Sequence, residues 1–143
     1  MKKGKLTFLK PEKGNNLGQW LVEQGISAGF PSPADDHMEG KLDLNTHLVK
    51  HPTATFFVKA SGDSMLGAGI HDGDILVVDR SLEPRKGKVV IAAVDGQLTV
   101  KRLQKKGSKT FLVPENKKFR SIELNENNDV KIWGVVTNVI HKV

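Results

Sequence analysis

Val89-Val90-Ile91-Ala92-Ala93-Val94-Asp95-Gly96-Gln97-Leu98-Thr99-Val100-Lys101-Arg102-Leu103 is an apolar, largely β-branched run and a mixed, strand-like run joined by an Asp-Gly pair. Branched side chains fit a pleated surface, and Asp-Gly supplies the two positive-φ positions of a type I′ turn. The stretch therefore predicts one β-hairpin. Outward from it, Ala54 to Lys59, Ile75 to Val78, Thr110 to Val113 and Ile132 to Ile140 repeat the same composition between turn signals. The class is mainly β from about residue 54 onward.

Before residue 54 the signals change. Leu17 to Gly25 has the makings of a short helix closed by glycine, but Gly18 and its few residues leave it marginal. Residues 1–28 are therefore expected to be a mobile arm. Phe30-Pro31-Ser32-Pro33 resists both helix and central strand, because each proline removes a donor and biases the preceding residue toward extended geometry. It reads as an exposed link. Asp35 to Val49 has a loosely helical mix that periodicity does not assign. The expected organisation is an arm over residues 1–28 and a β-rich domain over residues 29–143.

The full sequence of 143 residues suits one domain with a core that needs no staples. There are no cysteines, which excludes disulfides, thiolate metal sites and a cysteine nucleophile. No apolar run approaches the ~20 residues that span a bilayer, and Leu6 to Leu9 falls short of the roughly 7–15 apolar residues of a signal peptide. A soluble, unexported chain is expected. Half of the formal +6 charge lies in residues 1–28, where Lys2, Lys3, Lys5, Lys10 and Lys13 face only Glu12 and Glu23. Trp20, Trp133 and six phenylalanines are too dispersed for a base-stacking platform and are expected in the core or against the arm. The basic arm reads as solvated tail rather than DNA reader.

Chemistry enters with Ser61-Gly62-Asp63-Ser64-Met65 and with Lys101, which follows Ser64 by thirty-seven residues (101 − 64). A serine hydroxyl becomes a good nucleophile when a neighbour removes its proton, and a lysine does so only when burial keeps it neutral. Gly62 lets a substrate carbonyl approach closely, and the amides of Ser64 and Met65 are candidate oxyanion donors. Each part has a plainer reading. Serines in such turns mostly bond their own backbone. Strand alternation puts Lys101 with Gln97 and Thr99 on the face opposite Leu98 and Val100, which makes it a solvated lysine with Arg102 pointing inward or ending the strand.

Asp72-Gly73-Asp74, with Asp79 beyond, lacks the spacing and terminal glutamate of a calcium hand, so a turn into the next strand explains it. His37, His47, His51, His71 and His141 show no paired ligand spacing, although one of them remains a candidate base for Ser64. No metal and no cofactor are assigned.

Gly29-Phe30-Pro31-Ser32-Pro33-Ala34, His51-Pro52-Thr53-Ala54-Thr55, Phe57 to Met65, Asp72 to Asp79, Ile91 to Gly96, Thr99-Val100-Lys101 and Trp133-Gly134-Val135-Val136 together resemble the UmuD family. These are accessory subunits of the bacterial error-prone DNA polymerase V. They stand with the LexA repressors, and more distantly the signal peptidases, among serine-lysine proteases on a largely β fold. The resemblance implies that Ser64 is the nucleophile, Lys101 the neutral general base, and the chain its own substrate, cut between Ala28 and Gly29. UmuD has cysteine before that glycine, whereas this chain has alanine, as LexA repressors do. By the same implication the arm docks over Lys101 and dries it, a RecA filament on single-stranded DNA promotes docking as coprotease, and the product is a cytoplasmic homodimer. Its partner would be a UmuC-like Y-family polymerase subunit in the SOS response to DNA damage, with no membrane and no sequence-specific DNA binding.

Two rivals come from other classes. A LexA-type transcriptional repressor needs a helix-turn-helix unit, and 28 residues ahead of the proline link are too few for one. A binding module on an inert protease fold would make Ser64 and Lys101 idle. A membrane-bound signal peptidase needs an anchor that the sequence does not offer.

Overall fold

The computed structural model describes residues 7–9, 19–22 and 38–143. In chain order the strands are β1 (Thr7–Leu9), β2 (Gln19–Val22), β3 (Met38–Leu42), β4 (Thr55–Lys59), β5 (Ile75–Asp79), β6 (Val89–Val94), β7 (Gln97–Lys106), β8 (Lys109–Val113), β9 (Ile122–Leu124) and β10 (Val130–Ile140). One five-residue helix, α1 (Leu44–Leu48), precedes β4. Eight strands form one antiparallel sheet in the order β1-β4-β5-β10-β6-β7-β8-β9, and β2 pairs separately with β3. The mainly β class holds.

The hairpin that decided the class is present in register. Val94 pairs with Gln97 and Val89 with Arg102, and the turn between them carries Asp95 at φ 49° and Gly96 at φ 81°. Those are the positive-φ positions a type I′ turn requires.

Two parts of the arm are described, and both are strands. Thr7–Leu9 pairs with Lys59, Val58 and Phe57 on β4, closing that edge of the large sheet. Gln19–Val22, inside the stretch read as a marginal helix, is extended and pairs with β3. Trp20-Leu21-Val22 carries enough branched and aromatic character to take a strand partner, which a window weighed only for helix misses. Asp35 to Val49, left unassigned, holds β3 and then α1. Asp43 caps that helix by accepting from the Asn45 amide at 3.0 Å.

Apolar residues bury on both faces of the sheet. Val58, Ala60, Met65, Ile70, Leu76, Val78, Ile91 and Val100 form one cluster. Val90, Ala92, Leu103, Leu112 and Val135 form the other. Neighbours Val90 and Ile91 thus pack into different cores, as a strand covered on both sides must. Trp133 is not in either core: it is 38% exposed, with the Arg80 guanidinium at 5.7 Å from the ring centre, and most of the arm, its other expected neighbour, lies outside the described residues.

Candidate active site

Ser64 lies in the loop between β4 and β5, which is tethered at several points. Gly62, at φ 93°, donates its amide to Asp72 Oδ1 at 2.9 Å. Met65, only 1% exposed, plants the loop in the first core, and its carbonyl accepts from the amides of Ala68 and Ile70. On the far side, the Glu115 amide donates to the Ser64 carbonyl at 2.8 Å and Gly67 donates to the Glu115 carbonyl at 2.7 Å. The Asn116 side-chain amide donates to the Asp63 carbonyl at 2.8 Å. A tethered loop is what a preorganised hydroxyl requires.

Lys101 comes to this loop from the middle of β7. Its Nζ donates to Ser64 Oγ at 3.0 Å, to Thr99 Oγ1 at 2.8 Å and to the Val100 carbonyl at 3.1 Å. Lys101 is 7% exposed, so the solvated position read from alternation is corrected. The pattern presumes one wet face, and β7 has none here: Val100 enters the first core while Leu103 enters the second. Burial pushes the Lys101 amine down to about 8. Its three partners are neutral, so no carboxylate restores the charged form.

Arg102, which pattern made inward-pointing or terminal, is partly buried and paired. Its Nε meets Glu115 Oε1 at 2.5 Å and its Nη1 donates to the Gly87 carbonyl at 2.6 Å. Among the described residues no acceptor takes the amides of Ser64 and Met65. Thr99 and the Arg102–Glu115 pair went unread in the sequence. Thr99 was findable, because i and i+2 share a strand face. Ala28 and Gly29, and the docking of the arm over Lys101, lie outside the described residues.

The described histidines go elsewhere, and His37 lies outside the described residues. Among the described residues none reaches Ser64. His51 Nδ1 bonds Asp79 Oδ2 at 2.5 Å, and His141 Nδ1 bonds Asp74 Oδ1 at 2.6 Å. The acidic set is not one loop either: Asp72 holds Gly62, Asp79 also accepts from Ser81, and Asp74 sits between His71 and His141. Those last three residues are the group among the described residues able to hold a metal ion. Among the described residues no helix is long and apolar enough to cross a membrane.

Known proteins resemble this chain in sequence over most of its length. The chain is 50% identical to Protein SamA of Salmonella typhimurium over 122 residues, 85% of this chain and 84% of that protein. It is 47% identical to Protein MucA of Escherichia coli over 116 residues, 80% of this chain and 79% of that one. The LexA repressor of Pasteurella multocida is 36% identical over 138 residues, 95% of this chain and 64% of the repressor. These are UmuD-like proteins and a LexA repressor, in keeping with the β fold. Residues 21–137 match the Peptidase S24-like family, and the chain belongs to it.

Proposed function

We propose that this chain is a self-cleaving serine endopeptidase that serves as accessory subunit to an error-prone translesion polymerase. Ser64 is the nucleophile and Lys101 the general base. The observation that carries the reading is the 3.0 Å contact between Lys101 Nζ and Ser64 Oγ, made by an amine that burial pushes down to about 8.

The steps follow from those atoms. Neutral Lys101 takes the Ser64 hydroxyl proton as Oγ attacks the Ala28 carbonyl carbon. The amides of Ser64 and Met65 receive the developing oxyanion. The Lys101 ammonium then passes its proton to the Gly29 nitrogen, the C–N bond breaks, and the fragment beginning at Gly29 leaves. Lys101, neutral again, takes a proton from a water that attacks the Ala28 ester carbon, then returns it to Ser64 Oγ as the acyl C–O bond breaks, which restores the hydroxyl and frees residues 1–28. No metal or cofactor takes part in these steps.

The cut falls in the connection between β2 and β3. Loss of residues 1–28 removes β1 from the edge of β4 and β2 from β3. The remaining domain, residues 29–143, is read as a homodimer in the bacterial cytoplasm that engages a UmuC-like Y-family polymerase. A RecA filament on single-stranded DNA is read as the coprotease. Incubation with activated RecA filaments is expected to yield a fragment starting at Gly29, and Ser64→Ala or Lys101→Ala to abolish it. An unchanged rate in either variant rejects the assignment, and a chain that stays whole throughout is the inert binding module instead.

A further inference from the structure

We propose that His71, Asp74 and His141 form a binding site for one divalent transition-metal ion of the zinc type, separate from Ser64 and Lys101. The sequence hides the site, because His141 lies 67 positions from Asp74. The sheet builds it. Ile140 at the end of β10 pairs with Ile75 at the start of β5, which sets the next residue of one strand beside the preceding residue of the other. His71 reaches the same point from the turn ahead of β5, where its amide donates to Asp74 Oδ2 at 2.8 Å and its carbonyl accepts from the Asp74 amide.

The donor set and its exposure fit an ion. Asp74 is 2% exposed, and its carboxylate faces a rim made by two half-exposed imidazoles whose ring centres are 4.6 Å apart. One ligand atom from each residue lies within 4.8 Å of the others. A tetrahedral zinc ion needs donors about 3.3 Å apart, a distance that rotation of the two rings about their side-chain bonds can close. Two imidazoles with one carboxylate favour zinc, cobalt or nickel over magnesium or calcium, which prefer oxygen alone. The ion would replace the hydrogen between His141 Nδ1 and Asp74 Oδ1, His141 then carrying its ring proton on Nε2 toward solvent. Water would take the remaining position. Bound there, the ion ties the end of β10 to the turn that enters β5. The same turn holds the Ser64 loop through the mutual amide bonds of Gly73 and Asp74 with Ala60.

The test uses the full chain freed of metal by a chelator. Titration with Zn²⁺ by calorimetry, and with Co²⁺ by visible absorption, is expected to give one ion per chain. His71→Ala and His141→Ala should each weaken Zn²⁺ binding by at least about tenfold, while His47→Ala and His51→Ala leave it unchanged. Absence of binding, or binding undiminished in His71→Ala, overturns the proposal. His71 supplies the decisive variant because its ring stands 3.7 Å from the nearest Asp74 oxygen and is half exposed, so the metal-free fold does not depend on it.

Discussion

Lys101 and Arg102, neighbours on β7, hold the same loop by two different routes. Lys101 Nζ reaches the Ser64 hydroxyl directly, whereas Arg102 Nε meets Glu115, whose backbone amide donates to the Ser64 carbonyl. Successive strand residues point to opposite faces, so one strand fixes both the reacting atom and the backbone that carries it. The loop also gains from burial of Met65, which follows the serine into the core. Chemistry and packing thus meet at consecutive residues of one loop and one strand.

The base sets the pH dependence. An amine pushed down to about 8 is roughly one-tenth neutral at pH 7 and nine-tenths neutral at pH 9. Self-cleavage of the full chain, followed by gel or mass spectrometry, should therefore rise about tenfold from pH 7 to pH 9 and level off above. A flat rate from pH 7 to 10 contradicts the role given to Lys101.

The same amine costs stability. The folded chain binds the Lys101 proton less tightly than the unfolded one, with a value of about 8 against an ordinary 10.5. Unfolding therefore takes up protons between those two values, and stability rises as pH climbs through that window. The penalty below pH 8 is about 3 kcal/mol. Lys101→Met removes it, so the variant's stability relative to the parent should be about 3 kcal/mol more favourable at pH 7 than at pH 10.5. Denaturant unfolding at both pH values measures the difference. Loss of the bonds to Ser64, Thr99 and Val100 acts at both and cancels.

Arg102→Ala separates position from proton transfer. Removing the guanidinium leaves Glu115 without its partner and loosens the grip on the Ser64 carbonyl, while Lys101 stays buried. Self-cleavage should fall by roughly tenfold to a hundredfold, the loss that a misplaced reacting atom brings. The midpoint of the pH profile should remain near 8. Arg102→Lys should restore little, since an ammonium cannot meet Glu115 and the Gly87 carbonyl with a planar fork. A shifted midpoint would place Arg102 in the electrostatics of the base instead.

The strands from β4 onward were legible because branched and aromatic runs are bounded by turn residues, as at Asp95-Gly96. β9 was not, since Ile122-Glu123-Leu124 is too short to stand out from its polar surroundings. β2 and β3 were obscured because their stretches were weighed for helix, and propensity over a few residues yields to a pairing partner. The site was half legible. Ser64 and Lys101 were recognisable as residue types and by resemblance, but alternation pointed Lys101 the wrong way. A second core on the other face of β7 cannot be read from that strand alone. The His71, Asp74 and His141 cluster and the Arg102–Glu115 pair depend on strand register across the sheet, which no local window contains.

Gly67 tests the clamp from the loop side. A Cβ there would stand 2.7 Å from the Glu115 carbonyl oxygen, the atom that now accepts the Gly67 amide. Backbone must move to admit it. Gly67→Ala should cost roughly 1–3 kcal/mol by thermal or denaturant unfolding and slow self-cleavage. Gly96→Ala, with nothing within 4 Å of the added carbon but φ at +81°, serves as the control: it strains the β6–β7 turn without touching the loop or the Arg102–Glu115 pair. Equal slowing of cleavage in both would deny the clamp a role.

Asp79 carries the acid side of stability. It is 4% exposed at the end of β5, and burial alone would raise its pKa. The Ser81 hydroxyl and amide at 2.6 and 2.8 Å and the His51 ring outweigh that, so the carboxyl is held below its ordinary value of 3.8. A carboxylate with a lowered value contributes stability in full above the unfolded value and loses it as pH falls through the folded one. Asp79→Asn keeps the shape but replaces one acceptor oxygen with a donor amide facing either Ser81 or His51. The variant should lose roughly 1–3 kcal/mol at pH 7 and show a shallower decline below pH 4 than the parent. Parallel acid-unfolding curves for the two chains would mean that Asp79 is not held in its charged form.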